Sequence, residues 1–195
     1  MFIQIIKGRV TDEDRFRVQA DRWPQELKPG AVGYLGCTWG IAPDGTAIIA
    51  ARFESDVDAK TNSERPEQGE WWAGMEPLLA DPAFSDCSEV DTLMAGGSDD
   101  AGFVQVIQGR VKDQQQARTM LQSMQGELAQ RRPDILGGWF GWHGLDGEFT
   151  QLVYFRSEEA ARAGESGNDE EMDNRYQEMM AGEPTFIDLP DPHFD

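Results

Sequence analysis

Phe2-Ile-Gln-Ile-Ile-Lys-Gly-Arg-Val10 returns 101 residues later as Phe103-Val-Gln-Val-Ile-Gln-Gly-Arg-Val111, with six of nine positions identical and two exchanging Ile for Val. A segment that recurs this closely at a long fixed offset marks a tandem duplication, and the duplication governs how every other stretch is read. Side chains alternate along an extended chain, so Phe2, Gln4, Ile6 and Gly8 share one face while Ile3 and Ile5 share the other. Both faces are largely apolar, the pattern of a central strand covered on both sides.

Working outward, the two copies keep step. Thr11-Asp-Glu-Asp14 and Asp113-Gln-Gln-Gln116 carry helix-start chemistry, and the stripes Phe16, Ala20, Trp23, Leu27 and Ala117, Leu121, Met124, Leu128 follow at helical spacing. Pro29-Gly30 and Pro133-Asp134 stop these helices. Strands are expected over 32–41 and 135–143, then Asp-Gly turns at Pro43-Asp-Gly45 and Leu145-Asp-Gly147, then strands over 47–53 and 149–155. The second helical region is broken in both copies. Ser55 to Lys60 and Ser157 to Ala163 are short capped segments, and after breaks at 62–66 and 166–169 longer helices carry Trp71, Trp72 and Met75, or Met172, Tyr176 and Met179. A last strand is expected over 89–94 and, made ragged by two prolines, over 189–194. Each copy therefore reads strand, helix, strand, hairpin, strand, helix, strand, the βαββαβ ferredoxin-like order.

Length and charge bound the rest. The 195 residues suit two units, 1–94 and 103–195, joined by Ala95-Gly-Gly-Ser-Asp-Asp-Ala-Gly102, which has linker composition. A formal charge of −19 repels phosphate backbones and anionic lipid, which argues against nucleic-acid and membrane-surface partners. No apolar run reaches the roughly 18 residues of a membrane span, and the first strand begins too early for a secretory signal, so a cytoplasmic location is expected. Cys37 and Cys87 lie outside any Cys-x-x-Cys spacing and read as free structural thiols.

A sheet with helices on one face needs cover on the other, and a tethered second copy supplies it. The expected class is α+β: tandem ferredoxin-like units whose antiparallel sheets pack into an intramolecular pseudo-dimeric α+β barrel. On the Val/Ile-x-Val/Ile strand opening, Tyr154-Phe-Arg-Ser-Glu-Glu-Ala-Ala161 entering a broken helix, and Glu183-Pro-Thr-Phe186, the whole chain resembles the dimeric α+β barrel superfamily. Within it the chain is most similar to the antibiotic-biosynthesis monooxygenase-like group. Members of that superfamily include cofactor-independent oxygenases acting on polycyclic aromatics, haem-degrading enzymes, haem-dependent dismutases and many proteins with no established activity, and the fold alone does not choose among them. The haem-degrading relatives place an axial histidine on the second helix, where this chain has Trp71, Trp72 and Met75, or Tyr176 and Met179.

The expected cavity lies between the two sheets. Gln4 and Gln105, polar in both copies amid apolar positions, either orient a ligand carbonyl or hydroxyl or satisfy one another and the backbone. Arg52 and Tyr154 hold equivalent places with different chemistry, as an anion partner and a proton donor respectively. In Gly137-Gly-Trp-Phe-Gly-Trp-His143, Trp139 offers a wall for a flat aromatic ligand and His143 a base; the alternative is an aromatic-rich strand packed on its helices. Trp72 and Tyr176 overhang the barrel mouth. No cluster has metal-ligand spacing and no phosphate-binding loop follows a strand, so neither metal nor cofactor is expected. The leading expectation is a small apolar or aromatic ligand, acted on by a cofactor-free monooxygenase. Alternatives are a non-catalytic binding or assembly protein with a filled barrel, and a haem-binding protein. A monomer, itself a pseudo-dimer, or a weak homo-oligomer is expected, since fusion supplies the partner sheet.

Overall fold

The computed structural model describes residues 1–144, 146–167 and 170–195, with backbone alone for 170–173. Leu145 of the second hairpin turn, Asn168 and Asp169 of the second break, and the Met172 side chain thus lie outside the described residues. The first half runs β1 (Phe2–Val10), α1 (Glu13–Glu26), β2 (Tyr34–Ile41), β3 (Thr46–Phe53), α2 (Asp56–Ser63), α3 (Pro66–Met75), β4 (Leu79–Cys87) and β5 (Glu89–Met94). The second half repeats it with β6 (Phe103–Arg110), α4 (Gln114–Arg131), β7 (Ile135–His143), β8 (Glu148–Phe155), α5 (Glu158–Glu165), α6 (Glu170–Met179), β9 (Thr185–Leu189) and β10 (His193–Phe194).

Local chemistry starts the helices where the spacing predicts. Asp12 and Asp113, rather than Thr11, are the caps of α1 and α4, and their carboxylates accept from the backbone N–H groups of Arg15 (3.1 Å) and Gln116 (2.8 Å). Ser55 and Ser157 cap α2 and α5 in the same way. The stripe of α1 reaches the core through buried Phe16, Ala20 and Leu27, with Trp23 packed against them; in α4 Ala117 and Met124 are buried, with Leu121 and Leu128 alongside.

Both sheets are antiparallel and five-stranded, ordered β10-β2-β3-β1-β4 and β5-β7-β8-β6-β9. The duplicated segments β1 and β6 lie inside the sheets, as their two apolar faces require. Three expectations need correction. The strand that completes the first copy's order beside β1 is not 89–94 but β4, around Pro82 and Phe84, paired so that Phe84 faces Ile6; as an edge strand it tolerates the missing proline N–H. Residues 189–194 are not one strand, because Pro190 and Pro192 have no N–H to donate: pairing ends at Leu189 and resumes at His193.

The third correction concerns the boundaries. The fifth strand of each sheet comes from the other end of the chain's repeat: β5 pairs with β7, and β10 pairs with β2. The compact units are therefore 1–88 with 193–195, and 89–192, rather than 1–94 and 103–195, and residues 95–102 belong to the second unit. The added strands occupy edges that would otherwise leave backbone groups of β2 and β7 unpaired. Equivalent arginines of the first helices pin them. Arg17 meets His193 Nε2 at 2.8 Å, while Arg118 reaches the Asp91 carboxylate at 2.8 Å and bonds Glu89 as well. His193 also stacks flat on Trp39 at 4.0 Å, and Trp142 Nε1 donates to Asp91 at 2.7 Å.

Gly137 sits at a register shift in β7 with φ 156°, and a Cβ there would lie 2.0 Å from the Gly96 carbonyl oxygen. Gly126 lies mid-α4, exposed, with nothing within 4 Å. Gly137→Ala is expected to destabilise by roughly 2 kcal/mol or more and Gly126→Ala to stabilise by about 0.5–1 kcal/mol. Denaturant unfolding of the two variants checks both signs.

Candidate functional site

In each unit a cavity lies in the layer between the sheet and its own helices. The helix-facing residues of β1 and β3 are Gln4, Ile6, Ile49, Ala51 and Phe53, and those of β6 and β8 are Gln105, Ile107, Gln151, Val153 and Phe155. In the first unit this layer keeps a cavity of about 90 Å³; in the second it opens to about 730 Å³.

Three exchanges between equivalent lining positions open the second layer. Trp23 of α1 becomes Met124. Tyr34, which precedes the register shift in β2 and pairs with Phe53, becomes Ile135, which precedes the same shift in β7 and pairs with Phe155. Asn62 of α2, buried and bonded to the Val32 carbonyl at 2.7 Å, becomes Gly164. Bulky, well-anchored side chains are lost at each place, and the gap they leave is lined by Met120, Leu121, Met124, Leu128 and Val153.

One exchange runs the other way in polarity. Ile6 faces Ile49 across the first sheet, whereas Ile107 faces Gln151 across the second. Gln151 accepts from the Tyr176 hydroxyl at 3.3 Å. Burial raises the Tyr176 phenol well above its ordinary range, so it stays protonated and able to donate. Gln105 donates to Asp188 at 3.1 Å and to Glu165 at 3.2 Å. Asp188 and Glu165 are bridged by Arg162, whose guanidinium also lies over Phe103 at 5.2 Å. Those carboxylates hold the Arg162 proton more tightly than usual, the Asp188 hydrogen bond first among them.

The repeated glutamines thus have a repeated partner: Gln4 donates to Asp86 at 3.1 Å just as Gln105 donates to Asp188, each across to the neighbouring edge strand. Neither a glutamine–glutamine nor a backbone bond satisfies them among the described residues. In the first unit the layer also receives Asp195, whose carboxylate is bonded by the Tyr34 hydroxyl and whose main chain exchanges hydrogen bonds with Cys37. Burial raises the Asp195 carboxyl above its ordinary range, and pushes the Cys87 thiol up to about 12 and the Cys37 thiol higher still.

The structure brings Gln105 and Tyr176 to the large cavity and Gln4 to the small one. The other expected site residues are elsewhere. Arg52, Trp139, Tyr154 and His143 alternate onto the sheet faces away from the helices, because their neighbours Phe53, Phe140, Phe155 and Trp142 occupy the helix side. Trp139 and Tyr154 pack under Gly96 and Gly97. His143 bonds Thr150 at 3.1 Å, and burial lowers its pKa, which keeps it neutral. Trp72 packs edge-on against Phe84 at 5.3 Å. Neither histidine lines either cavity, so the described residues do not fit an axial-histidine haem. Among them no group of three His, Cys, Asp or Glu is arranged to hold a metal ion, and no helix is long and apolar enough to cross a membrane. Gln151 escaped notice, although alternation places it with Phe149, Val153 and Phe155 and makes it the polar member of an otherwise apolar face.

Two outcomes follow for the first unit. A folded-state pKa raised by burial contributes stability at low pH that is lost as pH rises through it. Asp195→Asn should therefore gain on the native protein as pH is raised from about 4 to about 8, which thermal midpoints across that range will show. Both thiols should stay silent to a disulfide-exchange reagent near pH 8 until denaturant is added, since only the thiolate reacts.

No protein-family model matches the chain, and no curated protein sequence matches it. Solved structures do. A candidate monooxygenase from Lactobacillus acidophilus superposes with a TM-score of 0.72 at 13% identity, covering 100% of this chain and 98% of that one. An anthrone oxidase-like protein gives 0.69 at 15% identity over 100% and 92%. A ferredoxin-fold protein from Listeria monocytogenes related to antibiotic-biosynthesis monooxygenases gives 0.51 at 10% identity over 96% and 92%. In fold, then, the chain is a tandem pair of ferredoxin-like units similar end to end to the antibiotic-biosynthesis monooxygenase-like proteins.

Proposed function

We propose that the second unit binds a flat, largely apolar small molecule between its sheet and helices α4, α5 and α6, and that the first unit is the filled, structural counterpart. The observation that carries this is the contrast in one duplicated layer: about 730 Å³ in the second unit against about 90 Å³ in the first. Small-molecule sites usually measure roughly 300–1,000 Å³ and are apolar with a few placed polar groups, which is the composition of the larger cavity.

The reaction class that suits this site is cofactor-free oxygenation, in which the ligand itself supplies the electrons. For an anthrone the balance is closed: the ring methylene loses two hydrogens and gains one oxygen atom as a carbonyl, and the second oxygen atom leaves with those hydrogens as water. Glu165, Glu183 and Asp188 are carboxylates lining the cavity and able to accept the first proton. The fold likeness to an anthrone oxidase-like protein supports this choice of probe.

The test refills the cavity with the first unit's own side chains. Titration calorimetry with anthrone should show binding to the native protein, and Met124→Trp with Ile135→Tyr should weaken it on the order of tenfold or more while the circular dichroism is kept. Unchanged affinity in that variant would place the ligand elsewhere. Oxygen uptake with anthraquinone formation tests the chemistry separately; uptake no faster than in buffer leaves a binding protein and removes the enzyme.

A further inference from the structure

Two amides in the large cavity have chemistry that the fold does not use up. Gln105 and Gln151 are each only 6% exposed, and both line the cavity. Buried amide atoms are rarely left without partners. Gln105 must turn its Nε2 toward the two carboxylates it serves, since a carboxylate only accepts, and this leaves Oε1 without a donor among the described residues. Gln151 accepts through Oε1 from Tyr176, which leaves its Nε2 without an acceptor among them. Among the described residues neither atom is a fully buried polar atom without a partner, and both side chains line the cavity.

Their placement is fixed by the sheet. Gln105 faces Val153 and Ile107 faces Gln151, so the two glutamines are diagonal neighbours on one face. Such neighbours stand roughly 7–8 Å apart, a span that one ring system can bridge. Only this unit has the pair, since Gln4 is matched with Ile49 in the other. Three carboxylates, Glu165, Glu183 and Asp188, line the cavity with two guanidinium groups, Arg132 and Arg162, that are already paired with carboxylates, so the wall favours a neutral ligand over an anion.

Resting on the reading of this cavity as a binding site, we propose that Gln105 and Gln151 set ligand choice: they select a neutral molecule that gives a carbonyl acceptor to Gln151 Nε2 and a hydroxyl donor to Gln105 Oε1. A site built to hydrogen-bond a ligand rejects analogues that leave its polar groups unpaired, which is how two amides can outweigh a mostly apolar wall.

The test crosses two variants with four ring compounds of one size: naphthalene, 1-tetralone, 1-naphthol and 1-naphthoate. Gln151→Ile installs the first unit's residue, and Gln105→Met removes the acceptor at similar length. In the native protein tetralone and naphthol should each bind about tenfold tighter than naphthalene, the size of one well-made hydrogen bond, and naphthoate should bind weakest. Gln151→Ile should cost tetralone that factor, and Gln105→Met should cost naphthol the factor while sparing tetralone, which has no proton to give. Naphthalene, which makes no hydrogen bond, should lose no affinity in either variant, and an unchanged circular dichroism spectrum certifies the fold. Equal loss for all four compounds, or no preference in the native protein, overturns the role given to the glutamines and leaves the cavity a binding site. If no compound binds the native protein, the binding site itself falls, and the glutamine proposal with it.

Discussion

The layer between a sheet and its covering helices has to be filled, because apolar surface on both sides is stable only when packed or occupied. The proposed function rests on how differently the two copies meet that requirement. The first unit uses large side chains that are themselves tied down: Trp71 to the Gln19 carbonyl, Trp23 Nε1 to Gln68 at 2.8 Å, and Tyr34 to Asp195. The second unit places Met124, Ile135 and Gly164 where the first has Trp23, Tyr34 and Asn62, and leaves room.

Duplication makes such divergence affordable, since stability has to be kept only in one copy of a layer at a time. The shared features are those that hold the scaffold: the cap aspartates, the glutamine–aspartate pairs across the edge strands, the register shifts at Gly36 and Gly137, and the arginines that pin the added fifth strands. The features that differ are the ones that shape a cavity and give it polarity. A repeated residue here therefore reads as structural and an exchanged one as a candidate for function. Gln105 matters to the proposed site through what stands beside it, Gln151, and not through its twin.

The edge-strand exchange has a similar logic. Each fifth strand is short and would be marginal by itself, yet it covers backbone that a bare edge would expose, and an arginine from the neighbouring helix fixes it. In the first unit this strand also carries Asp195 into the helix-side layer, where its carboxyl becomes part of the wall.

Sequence alone determined the duplication, the antiparallel α+β class, the helix starts and the stripe each helix buries, because those depend on local chemistry and on periods of two and 3.6 residues. Alternation also settled which side chains share a strand face, but it could not say which of two apolar faces the helices cover. That choice moved His143, Tyr154, Arg52 and Trp139 away from the cavities and brought Gln151 in. Which edge each fifth strand joins, and whether a layer closes or stays open, depend on the summed volumes of residues far apart in the chain, and these were decided only when the chain was folded.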